Sequence, residues 1–159
     1  ARLDTLNASK GYTSSTFTGF SRKDSKPLEA PIASQITVTM SSALYNSTYT
    51  YDATANLYNR SQAGAPHTDR ESGQISPRVV VVMKVATRVA PGSSQQTVAI
   101  GSGVAYVFQD GDVHEVTWTK ASKNDQITFT TAEGQDFRLA RGQTFISAIP
   151  VDTGSVTWL

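Results

Sequence analysis

From about residue 32 onward, polar and apolar positions alternate along the chain. Ile36, Val38 and Met40 interleave with Thr37 and Thr39, the period of a half-buried strand. Tyr45, Ser47, Tyr49 and Tyr51 then share one face, and Asn46, Thr48, Thr50 and Asp52 the other. Turn chemistry at Asp52 to Asn56 and a return through Leu57 to Arg60 predict a hairpin. Val79 to Met83 is apolar on both faces, which predicts a central strand covered on both sides. Ala90-Pro91-Gly92-Ser93 predicts a turn, and Thr97 to Ile100 leads into Val104 to Phe108. Gly101 and Gly103, between those two runs, predict a bulge or a sharp bend. Asp110-Gly111 is the strongest hairpin signal, and the strand after it places His114, Val116, Trp118 and Lys120 on one face. Ile127 to Thr130 pairs with Phe137 to Leu139 across Glu133-Gly134, Gly142 turns into Thr144 to Ile149, and Val156 to Leu159 closes the chain against an edge. The pattern predicts a mainly antiparallel β protein of about ten short strands, a sandwich or a partly open barrel.

The first residues follow a different period. Leu3 and Leu6 sit three apart, Lys10 falls in a last turn and Gly11 follows, which is the back half of a short N-terminal helix with its C-cap. The front half and an N-cap are missing, so the chain is expected to be a piece of a longer protein. Residues 1–31 then form the end of a preceding domain and a connector, and residues 32–159 the β domain.

Composition narrows the class. A chain of 159 residues is expected to be one domain able to bury roughly 70% of its unfolded surface. No cysteine is present, so there is neither a disulfide framework nor a thiolate metal site. A net charge of +1 gives no electrostatic case for nucleic acid or an anionic membrane surface. No apolar run approaches the ~18 residues that span a bilayer.

The densest group of chemically capable side chains lies between Leu57 and Asp69. Arg60, Ser61, Gln62, His67 and Asp69 form the candidate functional cluster. His67 and Asp69, two apart in an extended segment, point the same way, and a carboxylate beside an imidazole raises its basicity. The competing reading has His67 bonded to backbone and Asp69 capping the turn at Glu71-Ser72-Gly73. His67, Asp69 and His114 lack a recognisable metal-ligand spacing, so no metal and no cofactor are expected. Tyr49, Tyr51, Tyr58 and Trp118 form a candidate ligand platform for sugar rings, with core packing as the alternative at that period.

A family resemblance rests on the order of several stretches. Tyr51-Asp52 through Tyr58-Asn59-Arg60-Ser61-Gln62, then Gly64-Ala65-Pro66-His67-Thr68-Asp69 and Val79-Val80-Val81, resemble the YerB-like family of bacterial lipoproteins. Gly101-Ser102-Gly103 to Phe108, Asp110-Gly111, Trp118-Thr119-Lys120 and Gly142-Gln143-Thr144 to Pro150 continue the resemblance in the same order. Val116 replaces an expected glycine and Phe145 a usual tryptophan. The resemblance implies the C-terminal of two domains in an extracytoplasmic lipoprotein, anchored to the cell membrane by a lipid outside this chain. The family is a domain of unknown function, so no catalytic residue carries over.

The expected function is therefore a binding or scaffolding module of the cell envelope. Its partners would be its own N-terminal domain and a cell-wall or envelope protein, with no nucleic acid and no membrane contact beyond the anchor. The alternative is part of an envelope hydrolase whose site lies between this domain and the missing one, with Arg60, His67 and Asp69 contributed from this side.

Overall fold

The computed structural model describes residues 2–11, 17–89 and 95–159. Among the described residues ten strands of three residues or more carry the architecture: β1 (Gln35–Thr39), β2 (Ser47–Asp52), β3 (Leu57–Gln62), β4 (Val79–Val89), β5 (Gln95–Val98), β6 (Gly101–Gln109), β7 (Asp112–Lys120), β8 (Thr128–Thr130), β9 (Thr144–Pro150) and β10 (Ser155–Trp158). One sheet runs β8-β7-β6-β4-β9, with β5 pairing the far end of β4. The other runs β10-β1-β2-β3 and ends on the two-residue strand Ala65–Pro66. The fold is mainly β and of sandwich type, without a closed barrel.

Strand β4 is the centre of the molecule because its side chains enter both cores. Val79, Val81, Met83 and Val85 pack with Ala105, Val107, Val116, Trp118, Phe129 and Leu139 on one face. Val80 and Val82 pack on the other, against Ile36, Val38, Tyr49, Tyr58, Phe108 and Ile149. The second core is the layer between the two sheets. The first is covered by Phe20 from the connector and by Ile127 and Phe137 from the segment between β7 and β9. A strand buried on both faces needs apolar residues at consecutive positions, which is why this run does not alternate.

The pairing adds two features to the mainly antiparallel fold. First, β9 runs parallel to β4, from Thr144↔Val79 to Pro150↔Val85, so the sheet is mixed. Secondly, the bulge expected at Gly101 and Gly103 opens on the β4 side only: Val98 faces Ala86 and Ala105 faces Met83, and Gly101 has φ +133°. Both lie in continuous register with β7, opposite Lys120 and Trp118. Gly103 is there for close approach: a Cβ would stand 2.8 Å from Trp118 Nε1 and 3.0 Å from Lys84 O. The turn expected at Ala90 to Ser93 lies outside the described residues.

The Asp110-Gly111 hairpin forms as its residues demand, with φ of +61° and +77°. Its tip docks the connector, since Leu28 N donates to Asp110 O and the amides of Ile32 and Ala33 to Gly111 O. Helix α1 (Arg2–Ser9) precedes the connector, with Leu3 and Leu6 exposed.

Candidate functional site

Strands β2 and β3 are paired so that Ser47 lies opposite Gln62, Tyr49 opposite Arg60 and Tyr51 opposite Tyr58. Alternation sends Ser47, Tyr49, Tyr51, Tyr58 and Arg60 into the layer between the sheets, where all five are buried. Arg60 is thus a charged residue at a core-facing position, 5% exposed.

The surroundings of Arg60 explain how the chain tolerates this. Its Nε donates to Tyr49 Oη at 3.2 Å. Its Nη1 donates to Gln62 Oε1 at 3.0 Å and to His67 Nδ1. The guanidinium carbon lies 4.7 Å from the Phe145 ring centre and 5.7 Å from that of Tyr49, within cation–π range. All these partners are neutral, and among the described residues no carboxylate pairs with Arg60.

His67 is placed by its backbone. Its N–H donates to Arg60 O and its carbonyl accepts from Ile75 N, both at 2.9 Å, so the chain returns beside β3. Its side chain accepts from Arg60 and is therefore neutral at Nδ1, with the proton on Nε2. Partial burial and the Arg60 charge both hold its pKa below the ordinary histidine value.

Asp69 does not join this group. Its Oδ1 accepts from the backbone N–H of Ser72 at 2.8 Å and of Glu71 at 3.0 Å. These bonds, Ser72 first, hold its carboxyl below the usual range. Asp69 caps its own turn, and the partner of His67 is Arg60 instead. The histidine–carboxylate pairing is thereby corrected: two residues on one side of an extended segment share a direction, but local amides claim the carboxylate first. Gln62 joins the group, donating onward to Leu44 O at 3.3 Å, whereas Ser61 sits at the alternate position, in register with Thr48 and Pro66.

The four aromatic residues do not make a platform. Tyr49 and Tyr58 are fully buried, Tyr51 and Trp118 nearly so. Trp118 belongs to the other core, where its Nε1 donates to Lys84 O at 2.9 Å. Their period of two placed them on inward faces, so they serve packing.

A second polar group was not legible as one. Asp110, only 2% exposed, accepts from Asn56 Nδ2 at 3.0 Å and from Lys26 N at 3.1 Å, with Lys23 Nζ at 3.4 Å. Tyr51 Oη donates to Asn56 Oδ1 at 2.8 Å, and Gly111 N donates to Tyr58 Oη at 3.1 Å. Burial raises the pKa of Asp110, but the bonds from Asn56 and Lys26 and the charge of Lys23 outweigh it and leave the carboxyl below its usual range. Beside it lies a cleft of about 420 Å³ lined by Lys23, Lys26, Asp112 and His114 among others. His114 lies 3.6 Å from Asp112 and against the Phe137 ring, and burial lowers its pKa. Among the described residues no three His, Asp or Glu side chains gather into a metal-sized group.

Residues 36–146, well over half of the chain, match the family described as "Protein of unknown function (DUF3048) C-terminal domain". The chain belongs to this DUF3048 family. The DUF3048 match agrees with a relative from Bacillus subtilis (strain 168) named "Putative lipoprotein YerB", 27% identical over 112 residues, which are 69% of this chain and 33% of the relative. The crystal structure of YerB from Bacillus subtilis has the same fold, with a TM-score of 0.76 at 19% identity over 98% of this chain. This DUF3048 chain spans 52% of that solved chain and a third of the relative's length. It is a YerB-like C-terminal domain.

Proposed function

We propose that this domain is a non-catalytic binding or scaffolding module of an envelope lipoprotein, held outside the cytoplasmic membrane by an anchor beyond this chain. The name of the Bacillus subtilis relative supports the location. One observation carries the non-catalytic reading. In the chemically richest cluster the histidine faces a buried cation and neutral acceptors, while the nearby carboxylate is bound to its own turn. An imidazole beside a guanidinium is a poor general base, since protonation would place two positive charges in contact. A hydrolase built on His67 and Asp69 would therefore lack the carboxylate that orients its base. The partners in this reading are the protein's own N-terminal domain and a cell-wall or envelope protein.

The test uses the full-length lipoprotein with purified cell-wall material. The expected result is co-sedimentation, or retention of a specific envelope protein, without release of soluble wall fragments. Fragment release that is lost in a His67→Ala variant would overturn the proposal and favour the hydrolase.

A further inference from the structure

The layer between the sheets is apolar along most of its length, but at the open end of the β2–β3 hairpin four polar residues face one another. Ser47 is opposite Gln62, and Tyr49 opposite Arg60. Two hydrogen-bonding groups there are left over. Ser47 is 2% exposed, and its buried Oγ has no partner. Arg60 uses Nε and Nη1, while Nη2 bonds to nothing among the described residues and is not among the fully buried unpaired atoms. A buried hydroxyl is normally satisfied and a buried charge normally paired, whereas Nη2, not fully buried, is the one guanidinium nitrogen open to an incoming group. Among the described residues the chain supplies neutral acceptors and aromatic rings around the cation but no opposite charge.

From this we infer that the Ser47–Arg60 corner is a binding site for a carboxylate, with Arg60 as the charge partner and Ser47 and Gln62 as neutral hydrogen-bonding groups beside it. The inference rests on the binding-module reading and names its ligand class. Geometry selects the class. Phe145 and Tyr49 lie within cation–π range of the guanidinium, so the approach left to an anion is its planar Nη edge. A planar carboxylate matches that edge. One guanidinium in a site whose other donors are neutral suits a single negative charge better than a phosphate dianion. His67, now the acceptor on Nη1, sits at the rim and is half-buried, so a carboxylate oxygen can take its place there. Gln62, also half-buried, has an amide that reaches Leu44 O and forms the other wall.

The test is an NMR titration of the ¹⁵N-labelled chain, following the Arg60 Nε–H and Ser47 amide signals. The probes are N-acetylalanine, which has a terminal carboxylate; N-acetylaspartic acid α-methylamide, which has a side-chain carboxylate; neutral N-acetylalanine amide; and inorganic phosphate. Saturable shifts with either carboxylate, and none with the amide, support the site and tell the two sources apart. Arg60→Gln should abolish the effect. Because Arg60 is itself a buried residue whose loss costs stability, Ser47→Ala is the second arm: it should weaken binding about threefold or more without lowering the melting temperature, since it removes an unpaired buried hydroxyl. Equal binding of the neutral amide, tighter binding of phosphate, or unchanged affinity in Ser47→Ala would overturn the inference. If neither carboxylate binds while the full-length protein still associates with the envelope without cleaving it, the ligand class falls and the module reading stands. Wall cleavage by the full-length protein, with carboxylate binding intact, would remove only the module reading.

Discussion

Asp110→Ala should be the most informative single substitution for stability. Asp110 combines a left-handed backbone (φ +61°), near-complete burial and three donors to its carboxylate. Alanine forfeits each differently. The backbone term costs about 1–2 kcal/mol, since only Gly, Asn and Asp adopt this conformation readily. Asn56 is 6% exposed, so losing its acceptor leaves a buried amide N–H unpaired, at about 1–3 kcal/mol. Lys23 is partly exposed, and its ammonium returns to water at little cost. The sum is about 2–5 kcal/mol, or a fall in melting temperature of about 4–20 °C at about 2–4 °C per kcal/mol. Asp110→Asn keeps the backbone preference and an acceptor but removes the charge, so it should cost less, about 1.5–3 kcal/mol.

Urea denaturation of the three proteins between pH 7 and pH 3 separates the terms. The folded pKa of Asp110 is lowered, so the unfolded chain takes up this proton first. Its contribution is complete above the ordinary carboxylate range and is lost as pH falls through that range toward the folded pKa. The advantage of the parent over Asp110→Asn should therefore shrink below about pH 4. Other carboxylates that titrate, Asp69 and Glu133 among them, are common to both proteins and cancel in the difference. An Asp110→Ala protein within about 1 kcal/mol of the parent, or a pH-independent gap to Asp110→Asn, would refute the account.

Four further substitutions probe other contacts. Gly103→Ala should cost about 1–3 kcal/mol in urea denaturation and shift the Trp118 fluorescence, because the new methyl wedges the Trp118–Lys84 hydrogen bond. Tyr58→Phe should cost about 1–2 kcal/mol by stranding the Gly111 amide, and in the parent alkaline difference spectroscopy should find Tyr58 ionising well above the ordinary tyrosine range, since burial raises its pKa. His67 should titrate below about 6.5 by NMR and stay there in Asp69→Asn, because Arg60 and not Asp69 is its partner. With its folded pKa lowered, the stability His67 contributes is full above that ordinary value and lost as pH falls through it, so the deficit of His67→Ala should narrow between pH 8 and pH 5.

How far the sequence disclosed these features follows from the range of each interaction. Alternation at Ile36 to Met40, the double-faced run at Val79 to Met83 and the Asp110-Gly111 turn are local, and each appears as a strand or hairpin near where it was expected. The parallel pairing of β9 with β4 joins segments more than sixty residues apart and leaves no mark on either strand's own pattern. A glycine inside a strand has two causes, and both operate here: the bulge against β4 was legible in the chain, whereas the approach of Trp118 to Gly103 is tertiary. The same limit applies to His67. Its spacing to Asp69 and the Glu71-Ser72-Gly73 turn that Asp69 caps are visible in the chain, but the pairing that brings Arg60 to His67 is a property of the folded hairpin.

The β2–β3 hairpin holds two polar networks at opposite ends, and their difference is what gives the carboxylate proposal its force. At the turn end Tyr51, Asn56, Tyr58 and Asp110 bond to one another and to backbone amides, and the buried charge has a lysine within reach. Such a network rigidifies, and it ties the connector to the β6–β7 tip through Lys26 and Leu28. At the open end the same hairpin buries a charge of opposite sign beside an unpaired hydroxyl, with Nη2 of the guanidinium not fully buried. If burying polar groups here served stability alone, both ends would be expected to close in the same way. The turn end pairs its buried charge from within the chain, whereas at the open end no carboxylate among the described residues pairs with Arg60.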